Sequence, residues 1–302
     1  MRENSTELRR SWNMKRMFQL VVFGCLIFLS SRAAAYSIQS PLLADVDMNK
    51  RAGRGSDLIV PFQLESGETA RFILDTGSST SLIDKSLEPK LGKRLGSTTI
   101  SMFGKNKQKS GIYAAPKLYL EKVRLMTGDK IHTNDFKPQR THVMGLLGMD
   151  CLKHYCIQLD FQAGKVRFLD SAHLNVDNLG KAYPITISRW GRPFILHNSL
   201  IGEVKTNTPV TTRELPPTYA LIDSGYFADG RVDTGTNVAG DPTWIHLSEC
   251  VWDGETYTNI AVGHGENANI IGLKFLARHL VTLGFPQRTM YLKQTSVGPL
   301  KK

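Results

Sequence analysis

Apolar residues recur along this chain in short runs, and clusters of turn-forming residues separate them. Residues 58–64 and 70–74, for example, flank the turn Glu65-Ser66-Gly67-Glu68. Short apolar runs that are bounded by glycine and polar residues predict β-strands. The same pattern predicts strands at 97–103, 112–120, 156–161, 166–169, 182–187, 194–196, 219–222, 260–262, 280–285 and 289–292.

Helix is predicted in two short places, 149–155 and 274–279, and these belong to a long internal repeat. The segment that begins Leu146-Leu147-Gly148 matches one that begins Ile270-Ile271-Gly272. Four residues recur identically 124 positions later: Gly148, Leu152, Leu159 and Phe161. A repeat unit of about a hundred residues indicates a duplicated lobe, not a solenoid. With 302 residues the chain is long enough for two lobes, and we predict an all-β fold.

A second repeat carries candidate chemistry. An apolar strand leads into Asp75-Thr76-Gly77, and another leads into Asp223-Ser224-Gly225, 148 positions later. An acidic residue at a strand end, followed by a hydroxyl residue and glycine, holds a carboxylate rigidly at a turn. Two such carboxylates brought face to face share one proton and activate a water molecule.

The residues of lobe one resemble the pepsin and retropepsin group of aspartic peptidases. Residues 72–79, followed by Leu146-Leu147-Gly148, are similar to the motifs of that group, and 148–152 especially resemble retropepsin-like proteins of bacteria. The resemblance covers roughly 57–293 and implies two duplicated β-barrel-like lobes with short helices. It implies an aspartic endopeptidase whose catalytic pair is Asp75 and Asp223.

The resemblance also implies supporting roles around that pair. Thr76 and Ser224 would brace the two loops against each other through their hydroxyls. The remaining supporting residues would permit close backbone approach, hydrogen-bond the carboxylate or hold the loops from behind: Gly77, Ser78, Gly225, Gly148 and Gly272. We expect no cofactor and no metal at the site.

Lobe two departs from this pattern after its glycine. Ser78-Ser79 of lobe one correspond to Tyr226-Phe227, so a phenol replaces a hydroxyl that in this family hydrogen-bonds the carboxylate. A literal Asp233-Thr234-Gly235 follows, but no apolar strand precedes it and only 39 positions separate it from Gly272. We therefore assign the second carboxylate to Asp223.

The spacing between the motifs differs in the two lobes. Asp75 and Gly148 are 73 positions apart, whereas Asp223 and Gly272 are 49 apart, which leaves less room for a long hairpin in lobe two. We expect lobe one to supply the substrate-covering flap, as a hairpin at 101–113. Its lysine-rich tip would favour acidic peptide segments.

The N-terminus has the pattern of a signal peptide. Arg9, Arg10, Lys15 and Arg16 precede a 13-residue apolar run, and Ala33-Ala34-Ala35 offers a cleavage site. The run is shorter than the about 20 residues of a membrane-spanning helix, so an uncleaved anchor is the less favoured alternative. Translation from Met14 would give a more compact signal. We expect a secreted or periplasmic protein.

These boundaries define the expected domain organisation: signal peptide 1–35, polar leader 36–56, N-terminal lobe 57–172, C-terminal lobe 173–295 and basic tail 296–302. The leader is rich in glycine and basic residues and is expected not to pack. The formal net charge is +11, but no basic run is interleaved with aromatic residues, so we expect no nucleic-acid partner.

The expected partner is a peptide or protein substrate, bound by a monomer in which two lobes form a pseudo-dimer, with no stable membrane span after signal cleavage. Two alternatives stay open. The chain is an inactive, peptidase-like scaffold that binds peptides, or it pairs only its first lobe between two chains, as retropepsins do.

Overall fold

The apolar runs form strands throughout the part of the chain that the structure describes. The structure is a computed structural model and describes residues 42–102, 106–136, 142–197, 218–233, 244–265 and 269–301. These residues belong to one compact unit, Ser40–Lys302. The expected signal peptide and its cleavage site lie outside the described residues.

Lobe one consists of strands and very short helices. Its elements are β1 (Leu42–Asp47), β2 (Ile59–Leu64), β3 (Thr69–Leu74), β4 (Leu82–Asp84), a 3-10 helix (Lys85–Lys90), β5 (Arg94–Met102), β6 (Asn106–Ala114), β7 (Leu118–Leu120), β8 (Val123–Arg124), β9 (Lys130–Asn134), β10 (Gly145–Leu147), α1 (Met149–Leu152), β11 (Cys156–Asp160), β12 (Lys165–Leu169) and a 3-10 helix (Ser171–His173).

Lobe two repeats this style. Its elements are β13 (Lys181–Ile187), β14 (Pro193–His197), β15 (Thr218–Asp223), β16 (Gly230–Asp233), β17 (Trp244–Trp252), β18 (Glu255–Gly265), β19 (Asn269–Gly272), α2 (Leu273–Leu276), β20 (His279–Gly284) and β21 (Thr289–Gln294). The prediction of an all-β fold in two lobes is confirmed.

The described strands form two sheets. One has the order β5-β6-β9-β4-β10-β3-β2-β7-β8 and lies within lobe one. The other begins with β1-β12-β11 of lobe one, continues through β20-β21-β13, and ends with β14-β15-β19-β16-β18-β17 of lobe two. Hydrogen bonding between β11 and β20 therefore joins the lobes directly.

The junction between β11 and β20 shows how the duplication is arranged. These antiparallel strands pair Ile157 with Leu283, and Leu159 with Val281. Ile157 and Leu159 correspond, 124 positions later, to Val281 and Leu283, so each of the two pairs is the repeat equivalent of the other. The two strands are therefore related by a pseudo-twofold axis that passes through the central pair, Gln158 and Thr282. The Gln158 amide donates to the Thr282 hydroxyl at 3.1 Å.

Each lobe positions its Asp-hydroxyl-Gly segment in the same way. β3 is parallel to β10 and β15 is parallel to β19, so each acidic strand runs beside the strand that carries the supporting glycine. β4 in lobe one and β16 in lobe two both lie antiparallel to that glycine strand. Buried apolar residues from both lobes form one main core.

The segment before lobe one differs from the unpacked leader expected from its composition. From Leu42 onward it packs: β1 pairs with β12, and Ala44, Met48 and Ala52 are buried. The glycine at 53 lies where a Cβ would be 2.3 Å from Cβ of Ala277 in lobe two. Small and apolar residues within the basic sequence are what allow this close packing.

Lobe two contains a long hairpin, although its shorter motif spacing was expected to leave less room for one than in lobe one. β17 and β18, of 9 and 11 residues, pair around a turn at Asp253 and Gly254. β18 lies parallel to β16 in lobe two, just as β9 lies parallel to β4 in lobe one. β18 therefore corresponds to β9, and the β17–β18 hairpin is not the counterpart of the β5–β6 hairpin.

Among the described residues, no helix is long and apolar enough to cross a membrane.

Candidate active site

The two candidate carboxylates stand on loops that begin where β3 and β15 end. The Asp75 amide donates to the carbonyl of Leu147 in β10 at 3.0 Å, which holds this loop against its supporting strand. Asp223 is the last residue of β15, in register with Gly272 of β19. Both loops are thus extensions of buried strands, so their positions are set by the sheets.

Four hydrogen bonds join the two loops across the lobes. The Thr76 hydroxyl donates to the Ile222 carbonyl at 2.7 Å and accepts the Ser224 amide at 3.0 Å. The Ser224 hydroxyl donates to the Leu74 carbonyl at 2.8 Å and accepts the Thr76 amide at 3.0 Å. Both hydroxyl residues are buried. The arrangement is symmetric, and each lobe supplies half of it.

Each carboxyl group lies against the glycine of the other lobe. A Cβ placed on Gly77 would be 2.3 Å from Cγ of Asp223, and one placed on Gly225 would be 2.5 Å from Cγ of Asp75. Any side chain at either position would collide with the opposite carboxyl. Glycine is therefore required here for close approach, and the two acidic side chains face each other.

The surroundings of the pair favour a shared proton. Burial and the neighbouring Asp223 carboxylate raise the pKa of Asp75 to about 8. Burial also raises the pKa of Asp223, while amides of its own loop, a hydrogen bond with Asp75 and the positive charge of Arg192 oppose that rise. Two like charges this close cannot both ionise at modest cost. Ionisation of one carboxyl therefore favours retention of the proton on the other.

Backbone amides hydrogen-bond the carboxylate in both lobes. Asp75 Oδ1 accepts the amides of Gly77 and Ser78 at 2.9 and 3.1 Å, whereas the Ser78 hydroxyl donates to the Thr80 carbonyl. Asp223 Oδ1 accepts the Gly225 amide at 2.9 Å, and the Tyr226 amide also lowers its pKa by hydrogen bonding. In lobe one the Ser78 hydroxyl does not hydrogen-bond the Asp75 carboxylate, contrary to expectation. The presence of Tyr226 at the equivalent position of lobe two therefore does not remove a donor to the Asp223 carboxylate.

Comparison with known proteins agrees with this geometry. Residues 60–151 match the family model described as aspartyl protease, a range that runs from β2 to α1 and includes Asp75, Thr76, Gly77 and Gly148. The match covers less than a third of the chain and supports a retropepsin-like aspartyl protease family for lobe one. No curated protein matches the chain. Lobe two lies outside the matched range, so its assignment as a second protease lobe rests on the repeat and on the pseudo-twofold axis.

The glycines behind the two loops meet the backbone of those loops. A Cβ on Gly148 would be 2.7 Å from the Thr80 carbonyl oxygen, and one on Gly272 would be 2.3 Å from that of Ala228. The amide of the next residue, Met149, donates to the Ser78 carbonyl at 2.8 Å. In lobe two the Leu273 amide donates to the Tyr226 carbonyl at 2.7 Å.

The side chain of Tyr226 packs against β19 and β18. Its ring lies over Gly272, where a Cβ would be 2.9 Å from Cδ1, and its hydroxyl lies beside Gly263 of β18. Phe227 stacks on it with ring centroids 5.8 Å apart and is exposed. The second literal motif begins at Asp233, the last residue of β16, and Thr234 and Gly235 lie outside the described residues.

Sequence reasoning missed a set of charged and polar residues that hold the two loops. Ser81 and Asp229 occupy equivalent positions after Gly77 and Gly225, and Asp150 and Lys274 occupy equivalent positions after Gly148 and Gly272. The structure joins Ser81 to Asp150 and Asp229 to Lys274. The aligned repeat could have shown this, because the acidic residue is at the helix position in lobe one and at the loop position in lobe two. Nothing in the sequence distinguishes Arg192.

Proposed function

We propose that the chain is an aspartic endopeptidase whose catalytic residues are Asp75 and Asp223. The observation that carries the proposal is the symmetric set of four hydrogen bonds between Thr76 and Ser224 and the opposite strands. This contact presses the two acidic loops together in one chain. Each carboxyl group then lies against the glycine of the other loop.

The proposed mechanism uses the singly protonated pair. The ionised carboxylate takes a proton from a water molecule as that water's oxygen attacks the scissile carbonyl carbon. The protonated partner donates its proton to the carbonyl oxygen, which gives a tetrahedral diol. The newly protonated carboxyl then donates its proton to the amide nitrogen, and the other carboxylate takes a proton from a diol hydroxyl as the C–N bond breaks. This releases an amine and a carboxylic acid and restores the singly protonated pair.

A single chain is the proposed catalytic unit. β11 pairs with β20 across the pseudo-twofold axis, and the second carboxylate comes from the same chain as the first. A second copy is therefore not needed to complete the pair, in contrast to the alternative in which only lobe one is used. We further propose that the substrate is a peptide or protein and that the reaction needs no cofactor.

Peptidase activity on a denatured protein substrate tests the assignment. Asp75→Asn and Asp223→Asn should each abolish pepstatin-sensitive cleavage, because each removes one half of the proton-sharing pair. Asp233→Asn is the matched control, since it alters the literal motif ten residues away, and it should keep full activity. Loss of activity in Asp233→Asn but not in Asp223→Asn would reverse the assignment.

The same measurement separates the two alternatives. Peptide binding without cleavage in the unmodified chain would favour the inactive scaffold. Cleavage that survives Asp223→Asn, in a protein with the mass of two chains, would favour the dimer that uses only lobe one.

We also propose that the protein is secreted or periplasmic after cleavage at about residue 35. The basic residues, apolar run and small residues of the N-terminus support this. N-terminal sequencing of protein from fractionated cells is the test, and a first residue near Tyr36 in the envelope or medium is expected. Intact Met1 or Met14 in the membrane fraction would favour the uncleaved anchor.

A further inference from the structure

A buried ion pair holds the loop that follows Asp223. Asp229 lies in that loop and Arg278 follows α2, and both side chains are fully buried. Nη2 of Arg278 donates to Oδ1 of Asp229 at 2.9 Å. Oδ2 of Asp229 accepts the Ala261 amide at 2.9 Å and lies 3.2 Å from Nζ of Lys274. The Asp229 carbonyl accepts the amide of Gly272, the supporting glycine, at 2.8 Å.

The Arg278 guanidinium also hydrogen-bonds backbone carbonyls of two other segments. Nη1 donates to the carbonyls of Thr258 and Val297 at 2.7 and 3.0 Å. Nη2 donates to the Asn259 carbonyl at 3.2 Å. Asn259 has a φ of 53°, in the left-handed region, at the point where the β17–β18 ladder is interrupted. One guanidinium therefore connects the loop after Asp223, β18 and the end of the chain.

The C-terminal segment is tied to the same residue through its backbone. The carbonyl of Arg278 accepts the amides of Thr295 and Ser296 at 2.8 and 3.0 Å. The Val297 carbonyl, which binds the guanidinium, also accepts the Thr258 amide at 3.0 Å. Residues 295–297 thus pack as part of lobe two, ahead of the last basic residues.

Lobe one holds the equivalent loop with different side chains. Ser81 stands where lobe two has Asp229, and its hydroxyl and amide donate to the Asp150 carboxylate at 2.6 and 2.9 Å. The Ser81 hydroxyl also accepts the amide of Gly148, the supporting glycine, at 3.0 Å. His154 takes the position of Arg278. In both lobes a carboxylate bridges the loop and the short helix, but only lobe two adds the end of the chain.

We propose that Asp229 and Arg278 are positioning residues for Asp223, and that residues 295–297 complete their brace. The inference rests on the proposed peptidase function and concerns how the second carboxylate is held. A buried ion pair is poor evidence for stability, because apolar residues of similar volume often replace it without loss. Its geometric effect is different: it gives the loop one position, and a displacement of about 1 Å at a catalytic group lowers rates by about a hundredfold.

A double substitution separates positioning from stability. Asp229→Leu with Arg278→Met removes both fully buried charges together. Lys274 loses its contact with Asp229, but its side chain is partly exposed to solvent. We expect a folded protein whose kcat on a peptide substrate falls by at least about tenfold, with KM unchanged within about twofold, because the loop loses its fixed position. The carbon-13 titration of the Asp75 and Asp223 carboxyls should shift in the same protein.

Two truncations test the C-terminal part of the brace. A chain that ends at Gln294 loses the Val297 carbonyl and the amides on Arg278, and its kcat should fall by about threefold or more. A chain that ends at Leu300 keeps all these contacts and should retain the kcat of the full chain. The pair of truncations also decides the matter if the double variant does not fold.

Wild-type kcat together with an unchanged carboxyl titration in the double variant, or equal kcat in the two truncated chains, would overturn the inference. Failure of the proposed function has a different signature. An unmodified chain that cleaves no substrate refutes the peptidase proposal, whereas the carboxyl titration still reports whether the ion pair positions Asp223.

Discussion

At the residue scale, the raised pKa of Asp75 links its proton to the stability of the fold. Burial holds the folded-state value at about 8, whereas an unfolded aspartate has a pKa of about 3.9. Between these values the folded chain binds a proton that the unfolded chain does not. The stability that comes from this group is therefore fully present below pH 4 and is lost as the pH rises through 8.

Asp75→Asn should remove this pH dependence. We expect the Tm of the variant to match that of the unmodified protein near pH 4 and to exceed it at pH 8, by about 2–4 °C for each kcal/mol regained. Thermal unfolding at both pH values is the measurement. A wild-type Tm that rises relative to the variant between pH 4 and 8 would contradict the assignment of the raised pKa.

Loss of the Thr76 hydroxyl should weaken the contact between the two loops. Thr76→Ala leaves the Ile222 carbonyl and the Ser224 amide without their partner in a buried place, which costs about 1–3 kcal/mol. Thr76→Ser keeps the hydroxyl and is the matched control. Urea unfolding should separate the two variants, and equal stability would show that these bonds contribute little.

At the element scale, β1 is part of the fold and should not be removable as an unstructured leader. A chain that begins at Asn49 loses the pairing of β1 with β12 and the burial of Ala44 and Met48. Burial of one methionine alone contributes about 1.5–3 kcal/mol. We expect a chain starting at Ser40 to have the same free energy of unfolding as one starting at Tyr36. A chain starting at Asn49 should be less stable by several kcal/mol, about the contribution of two buried side chains the size of methionine.

The β5–β6 hairpin tests the expected preference for acidic peptides. Lys107 and Lys109 are exposed on β6 and pair with Ser101 and Thr99 of β5, while residues 103–105 of the tip lie outside the described residues. Replacing both lysines with serine should lower kcat/KM for acidic peptides by about two- to fivefold, the effect of an exposed charge pair. Neutral peptides should be unaffected.

The control for this hairpin is Lys122→Ser, which removes an exposed lysine from the β7–β8 turn. Its activity on acidic peptides should equal that of the unmodified protein. The preference should also weaken as salt is added, because surface charges are screened. A loss of activity that is the same for acidic and neutral peptides would show that the hairpin acts by some means other than charge.

At the scale of the whole molecule, the β11–β20 junction predicts a monomer. The two lobes already form a pseudo-dimer through this pairing and through the bonds of Thr76 and Ser224. Light scattering of the purified chain should give the mass of one chain at concentrations at which peptidase activity is measured. A mass of two chains that falls with dilution, together with loss of activity, would contradict this.

The amino-acid sequence by itself determined the class of fold, the duplication and the candidate pair. Alternating apolar runs predicted most strands, and the repeated glycine segments predicted two lobes, because these signals are local or repeat at a constant offset. Asp75 and Asp223 were assigned from the same kind of local motif. Sequence reasoning missed β1, β9 and β17. β1 pairs with β12 and β9 with β4, which are distant in the chain, whereas β17 pairs with the adjacent β18 but alternates poorly between buried and exposed positions.

Only the tertiary structure decided how the second loop is held. Whether Tyr226 deprives Asp223 of a hydrogen bond depends on its backbone amide, which has no sequence signature, since every residue except proline carries one. Asp229 and Arg278 are 49 positions apart, and the Val297 carbonyl is 19 further on. Such contacts arise from packing between distant segments, so a local pattern predicts the candidate catalytic residues but not the side chains that contact their loops.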